Sequence, residues 1–207
     1  MKRSVQWSIA VSAVTLVCSL SFAYGDIPVA AWFHALNDAS LFALFSRITL
    51  FGDSLFYLTG GLLLFIVFRG KKSFPAYAGL FLFCSVAASG LITDLIKYIA
   101  GRARPELYFS EQLFGFDFLQ WEHAWTSFPS GHSATAFSVA MLISTLYPRW
   151  RTLSFAAGFM VAFSRIFLTE HYVSDVIAGS FLGIISTTVV YNSLFKKKLD
   201  PSEPNSI

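Results

Sequence analysis

Six apolar stretches, at approximately 7–24, 54–69, 75–99, 130–147, 152–168 and 174–195, divide the 207-residue chain. Several approach the ~20 residues an α-helix needs to cross bilayer hydrocarbon. Lipid-facing backbone must satisfy its own hydrogen bonds, so all six read as helices. Charged residues make up 13% of the chain, against roughly a quarter in a soluble domain. The expected fold class is all-α: an integral membrane bundle of six transmembrane helices. One domain covers 1–199, and the polar, proline-containing segment 200–207 reads as a disordered cytoplasmic tail.

Basic residues set the expected orientation. Lys2-Arg3, Arg69-Lys71-Lys72, Arg149-Arg151 and Lys196-Lys197-Lys198 hold ten of the fifteen Lys and Arg. Six spans put all four clusters on one side, which the positive-inside rule makes cytoplasmic, with both termini. Segments 25–53, 101–129 and 169–173 then face outward, periplasmic or extracellular at an inner or cell membrane. Segment 26–53 mixes Asp26, His34, Asp38, Arg47 and Asp53 with apolar residues. It reads as one or two amphipathic interfacial helices between spans 1 and 2. The N-terminal stretch fits a retained helix or a cleaved signal peptide, and the retained helix is expected. Gly179 and Gly183 suit close helix packing within one bundle. Cys18 and Cys84 read as unbonded thiols in apolar runs. The scattered basic residues carry no nucleic-acid signature, and the sequence sets no oligomeric state.

Three polar segments end on the outward side. Arg104 follows Lys97 by seven residues, two helical turns along one face, before Pro105 stops the helix. Both are assigned to phosphate binding. Arg102 lies off that face and is left as a surface or headgroup contact. Pro129-Ser130-Gly131-His132 opens the fourth stretch. Ser130 is a good N-cap, Gly131 admits close approach of an anion, and the helix start offers free amides. Arg165 and His171 flank the end of the fifth stretch, and Asp175 is placed to orient His171 through one nitrogen, freeing the other for attack. A structural His–Asp hydrogen bond is the alternative. His34 and His123 read as surface residues. The acidic residues do not cluster and the site is cationic, so no metal or other cofactor is expected.

These segments resemble the signature of the type 2 phosphatidic acid phosphatase family: Lys-x6-Arg-Pro, Pro-Ser-Gly-His and Ser-Arg-x5-His-x3-Asp. Here they read Lys97-x6-Arg104-Pro105, Pro129-Ser130-Gly131-His132 and Ser164-Arg165-x5-His171-x3-Asp175, without gap or substitution. The resemblance implies a membrane lipid-phosphate phosphatase that needs no metal. It makes His171 the nucleophile that becomes a phosphohistidine, Asp175 its orienter and His132 the donor to the leaving oxygen. Lys97, Arg104, Arg165, Ser130 and Gly131 would bind the phosphate oxygens. The partners implied are the bilayer and a lipid phosphate: undecaprenyl diphosphate, phosphatidylglycerol phosphate, phosphatidic acid or lipid A 1-phosphate. A phosphotransferase using a second lipid as acceptor is the runner-up. A non-catalytic transporter or scaffold is a third reading.

Overall fold

The computed structural model describes residues 3–199 apart from 37 and 72. Helix α1 (Arg3–Leu20) runs through a π-helical turn, Ser21–Gly25, into α2 (Asp26–His34). Helix α3 (Ala39–Ile48), a 3-10 turn Thr49–Gly52 and α4 (Ser54–Phe68) follow. Then come α5 (Phe74–Ala100), α6 (Pro105–Glu111), α7 (Gly131–Leu146) and α8 (Arg151–Phe167). Helix α9 (Val173–Val190) continues through a second π-turn, Tyr191–Phe195, into α10 (Lys196–Leu199). Among the described residues β structure is limited to an isolated bridge between Arg102 and Phe116. The tail over 200–207 lies outside the described residues.

Four helical stretches among the described residues are long and apolar enough to cross a membrane: Val5–His34, Ala39–Phe68, Phe74–Ala100 and Val173–Leu199. The other two expected spans, α7 and α8, form as helices of 16 and 17 residues and fall short of that length. Helix α7 has an inward-facing composition. Ser133, Thr135, Ser138 and Ser144 are buried in it, and the Ser138 hydroxyl donates to the Gly183 carbonyl at 3.3 Å. Small and hydroxylated residues suit a helix surrounded by other helices. A Cβ on Gly179 would strike the backbone of Ser130, and one on Gly183 the backbone of Ala134. The two glycines therefore let α9 lie directly against α7, as their spacing predicts.

Segment 26–53 forms two short helices with most residues exposed, as expected, but it is not only a surface element. Its first half extends α1, and both halves pack on α8. Phe33 and Phe45 lie 5.3 Å and 4.3 Å, ring to ring, from Phe167. Asp26, at the start of α2, is fully buried. The segment is part of the bundle because its aromatic face and one carboxylate find partners inside it.

The bundle has two distinct ends. At one, Phe81, Leu142, Phe195 and Leu199 form an apolar cluster, with Lys198 5.1 Å over the Tyr77 ring and Phe74 against Tyr147. The end of α5, the start of α7, the end of α8 and the start of α9 meet at the other. All three polar segments are gathered there.

Candidate active site

Lys97 sits in the last turn of α5, which stops at Gly101. Gly101 has φ +54° and donates its N–H to the Lys97 carbonyl at 2.9 Å. That left-handed cap is open to glycine at little steric cost. Lys97 and Arg104 are therefore not on one helix face. Arg104 lies beyond the turn, in extended backbone, as the N-cap of α6. Both nevertheless face the site. A Cβ built on Gly131 would stand 3.6 Å from Lys97 Nζ, so the ammonium lies at the start of α7. Arg104 is buried and held by carbonyls. Its Nε donates to His123 at 2.9 Å, Nη1 to Glu170 at 3.2 Å and Nη2 to Thr126 at 3.4 Å. His123 contributes backbone, and His34 stacks on Phe109 at 3.8 Å rather than standing free.

Ser130 caps α7 as its residue type predicts, its Oγ accepting from the Ser133 N–H at 3.5 Å. Its own N–H donates to the Asp175 carbonyl at 3.0 Å, which ties α7 to the first turn of α9. His132 follows in the first turn of α7, half-buried, its ring against Gly52.

Past the end of α8 the chain turns back through Thr169, at φ +53°. The Arg165 carbonyl then accepts from the N–H groups of Glu170 at 3.0 Å and His171 at 3.2 Å. The Arg165 Nη1 donates to Thr49 Oγ1 at 2.8 Å, while its Nε is buried without a protein partner. His171 Nδ1 faces Asp175 Oδ2 at 3.6 Å and Ser127 Oγ at 3.5 Å. Asp175 Oδ2 also accepts from Ser127 Oγ at 2.6 Å and the Tyr172 N–H at 2.9 Å. Nδ1 is thus directed at the Asp175 carboxylate and the Ser127 hydroxyl. Burial pulls the His171 pKa down to about 3, helped by the guanidinium groups of Arg104 and Arg165 and opposed by the Asp175 hydrogen bond. The ring is neutral near pH 7, with a lone pair available.

The family model of the PAP2 superfamily matches residues 78–199. The chain belongs to the PAP2 superfamily. It is 31% identical to a lipid A 1-phosphatase of Rhizobium etli over 204 residues, covering 90% of this chain and 86% of that one. Solved structures share the fold, among them the following two. A PAP2-type phosphatidylglycerolphosphate phosphatase from Bacillus subtilis aligns with TM-score 0.69 at 20% identity, over 98% of this chain and 100% of that chain. LpxE from Aquifex aeolicus aligns with TM-score 0.61 at 22% identity, over 81% and 94%. This membership makes the protein a membrane phosphoric ester hydrolase.

The fold also brings to this end charged residues that spacing did not place there. Arg102 is no surface contact: it is 1% exposed and bridges two fully buried carboxylates. Its Nη2 reaches Asp26 Oδ2 at 2.6 Å, and its Nη1 pairs with Asp175 Oδ1 and donates to Ser174 Oγ at 2.6 Å. Asp26 further accepts from the Ser174 N–H at 3.0 Å and from Ser21 Oγ at 2.8 Å. The rings of Phe22, Phe114, Phe116, Phe128 and Tyr172 lie 4.7–5.9 Å from the guanidinium carbon. A flat cation fits such a box. Glu170 is the other addition. Its Oε2 lies 3.5 Å from Arg104 Nη1 and 3.5 Å from Arg165 Nη2. The available signal was charge itself: an Asp or Arg inside a membrane bundle needs a partner.

Proposed function

We propose that this PAP2 phosphatase hydrolyses a lipid phosphomonoester, lipid A 1-phosphate foremost, through a phosphohistidine on His171. The carrying observation is the orientation of His171: Nδ1 is directed at Asp175, and the ring lies in the field of the Arg104 and Arg165 guanidinium groups. The overall similarity to the Rhizobium etli enzyme supports the choice of lipid. Lys97, Arg104 and Arg165 surround the charge that spreads over the phosphoryl oxygens in the transition state, with the Ser130–Gly131 helix start adding backbone donors.

In the first step the His171 Nε2 lone pair attacks phosphorus as the P–O bond to the lipid breaks. The leaving oxygen takes that electron pair and a proton from the His132 ring. Asp175 holds the developing positive charge on His171. In the second step water gives its proton to His132 and attacks phosphorus. The N–P bond electrons return to His171 and inorganic phosphate departs. We place the site at the outer face, opposite the basic ends of α8 and α10, with six spans and both termini inside. In this reading α7 and α8 cross as short helices shielded by their neighbours.

The deciding test offers purified enzyme in detergent lipid A, phosphatidic acid, phosphatidylglycerol phosphate and undecaprenyl diphosphate, and follows phosphate release. Lipid A is expected to give the highest kcat/KM, with no added acceptor and no loss in EDTA. A strict requirement for a divalent ion, or no release from any of the four, would refute the proposal. Because the His171 ring stays neutral well into acid, its protonation should not reduce kcat/KM between about pH 5 and pH 7. An acid limb that keeps its midpoint in that range when His132 is replaced would contradict this.

Glu170 competes with substrate for two of the phosphate-binding cations. It is 45% exposed, so solvent screening limits each pair to about 0.5–1 kcal/mol. Glu170→Gln is expected to tighten inhibition by inorganic phosphate by about 2–5-fold, read from Ki at fixed pH.

A further inference from the structure

The 3-10 turn Thr49–Gly52 contacts two of the residues to which the proposed reaction gives roles, and belongs to none of the three signature segments. Gly52 closes against His132. A Cβ at position 52 would come within 2.7 Å of His132 Cδ2, 2.8 Å of its Cβ and 3.0 Å of its Cγ. Real side chains do not pack so closely, so the His132 ring occupies the volume that any larger residue at 52 would claim. Three residues earlier, Thr49 Oγ1 accepts from Arg165 Nη1 at 2.8 Å. Asp53, immediately after the turn, is fixed as the N-cap of α4, its Oδ1 accepting from the Leu55 N–H at 2.9 Å. The turn is thus anchored at its far end, and its inner face is shaped by an imidazole and a guanidinium.

We propose that Thr49–Gly52 is a fourth segment of the active site, in which Gly52 seats His132 for proton transfer to the leaving oxygen and Thr49 fixes Arg165 against the phosphate. Both are positioning residues, each acting through another side chain. The two act on different stages of the reaction. Misplacing His132 slows departure of a poor leaving group and barely affects a good one, because only the poor one needs the proton. Misplacing Arg165 weakens the grip on phosphate whatever the leaving group. The inference rests on the proposed role of His132, so the test carries its own control.

The experiment compares Gly52→Ala, Thr49→Val and His132→Ala on p-nitrophenyl phosphate and on a lipid monoester, in detergent, with thermal midpoints recorded alongside. Gly52→Ala is expected to lower kcat on the lipid by about 10–100-fold and on p-nitrophenyl phosphate by less than about 3-fold. It should add nothing further in the His132→Ala background. Thr49→Val is expected to lower kcat/KM about 3–10-fold on both substrates alike, and Thr49→Ser, which keeps the acceptor, should restore it. If His132→Ala shows no dependence on leaving group, the role given to His132 fails. If His132→Ala shows it and Gly52→Ala slows both substrates alike or neither, the seat proposed here fails while that role stands. Should Gly52→Ala not fold, the Thr49 pair decides alone: an unchanged kcat/KM in Thr49→Val overturns the proposal.

Discussion

Exchanging His171 for Ala is expected to lower kcat for lipid phosphate by about 10^4-fold or more, the scale seen when an enzyme loses its nucleophile. The fold should survive. His171 receives one side of the Asp175 carboxylate, but Ser127, the Tyr172 N–H and Arg102 hold the rest of it. The two guanidinium groups do not depend on the ring for their positions: Arg104 is bonded to backbone carbonyls, and Arg165 to Thr49. Vanadate inhibition in a ligand-binding assay should therefore weaken by far less than turnover does. The check is phosphate release beside a thermal melt in the same detergent. Activity within about tenfold of the parent enzyme would remove His171 from the chemistry.

Replacing Arg102 by Met is expected to damage both stability and activity. It leaves Asp26 and Asp175 buried without their shared cation. Breaking a buried pair by removing one partner costs about 3–5 kcal/mol, which for a chain of this size is a fall in Tm of roughly 6–20 °C. Asp175 would then rotate away from His171 or take up a proton, and kcat should drop about 100-fold even where the protein remains folded. Asp26→Asn should be milder, because Arg102 keeps Asp175 as its counter-ion. Arg102→Lys should fall between them, since one ammonium cannot present two separated donors to two carboxylates. Thermal midpoints for the three variants rank them, and equal midpoints would show that the buried triad does not hold this end of the bundle together.

What the sequence reveals about the site follows the range of its interactions. The His171–Asp175 pairing and the Ser130 cap are local, involving residues four or fewer apart, and spacing places them correctly. Lys97 and Arg104 converge on the site, but the shared helix face inferred from their spacing does not exist. Gly101 adopts a left-handed cap and ends the helix before Arg104. The contacts of Arg102 with Asp26 and of Arg165 with Thr49 join residues 76 and 116 positions apart. Periodicity within a single stretch carries no information about such pairs, so Arg102 reads as surface and Asp26 as interfacial. Apolar length similarly marks the long helices that face outward. Helices α7 and α8 are short, and α7 turns hydroxyls toward α9, so hydropathy describes them least well.

Covalent transfer of phosphate to one histidine leaves an intermediate that can be trapped. Rapid quench of the enzyme with lipid labelled at the phosphate, followed by digestion and mapping, captures it. An acid-labile, alkali-stable label is expected on the peptide carrying His171, formed before free phosphate and missing from His171→Ala. Free phosphate appearing at full rate with no label on the protein at any quench time, or a label on another residue, would contradict it.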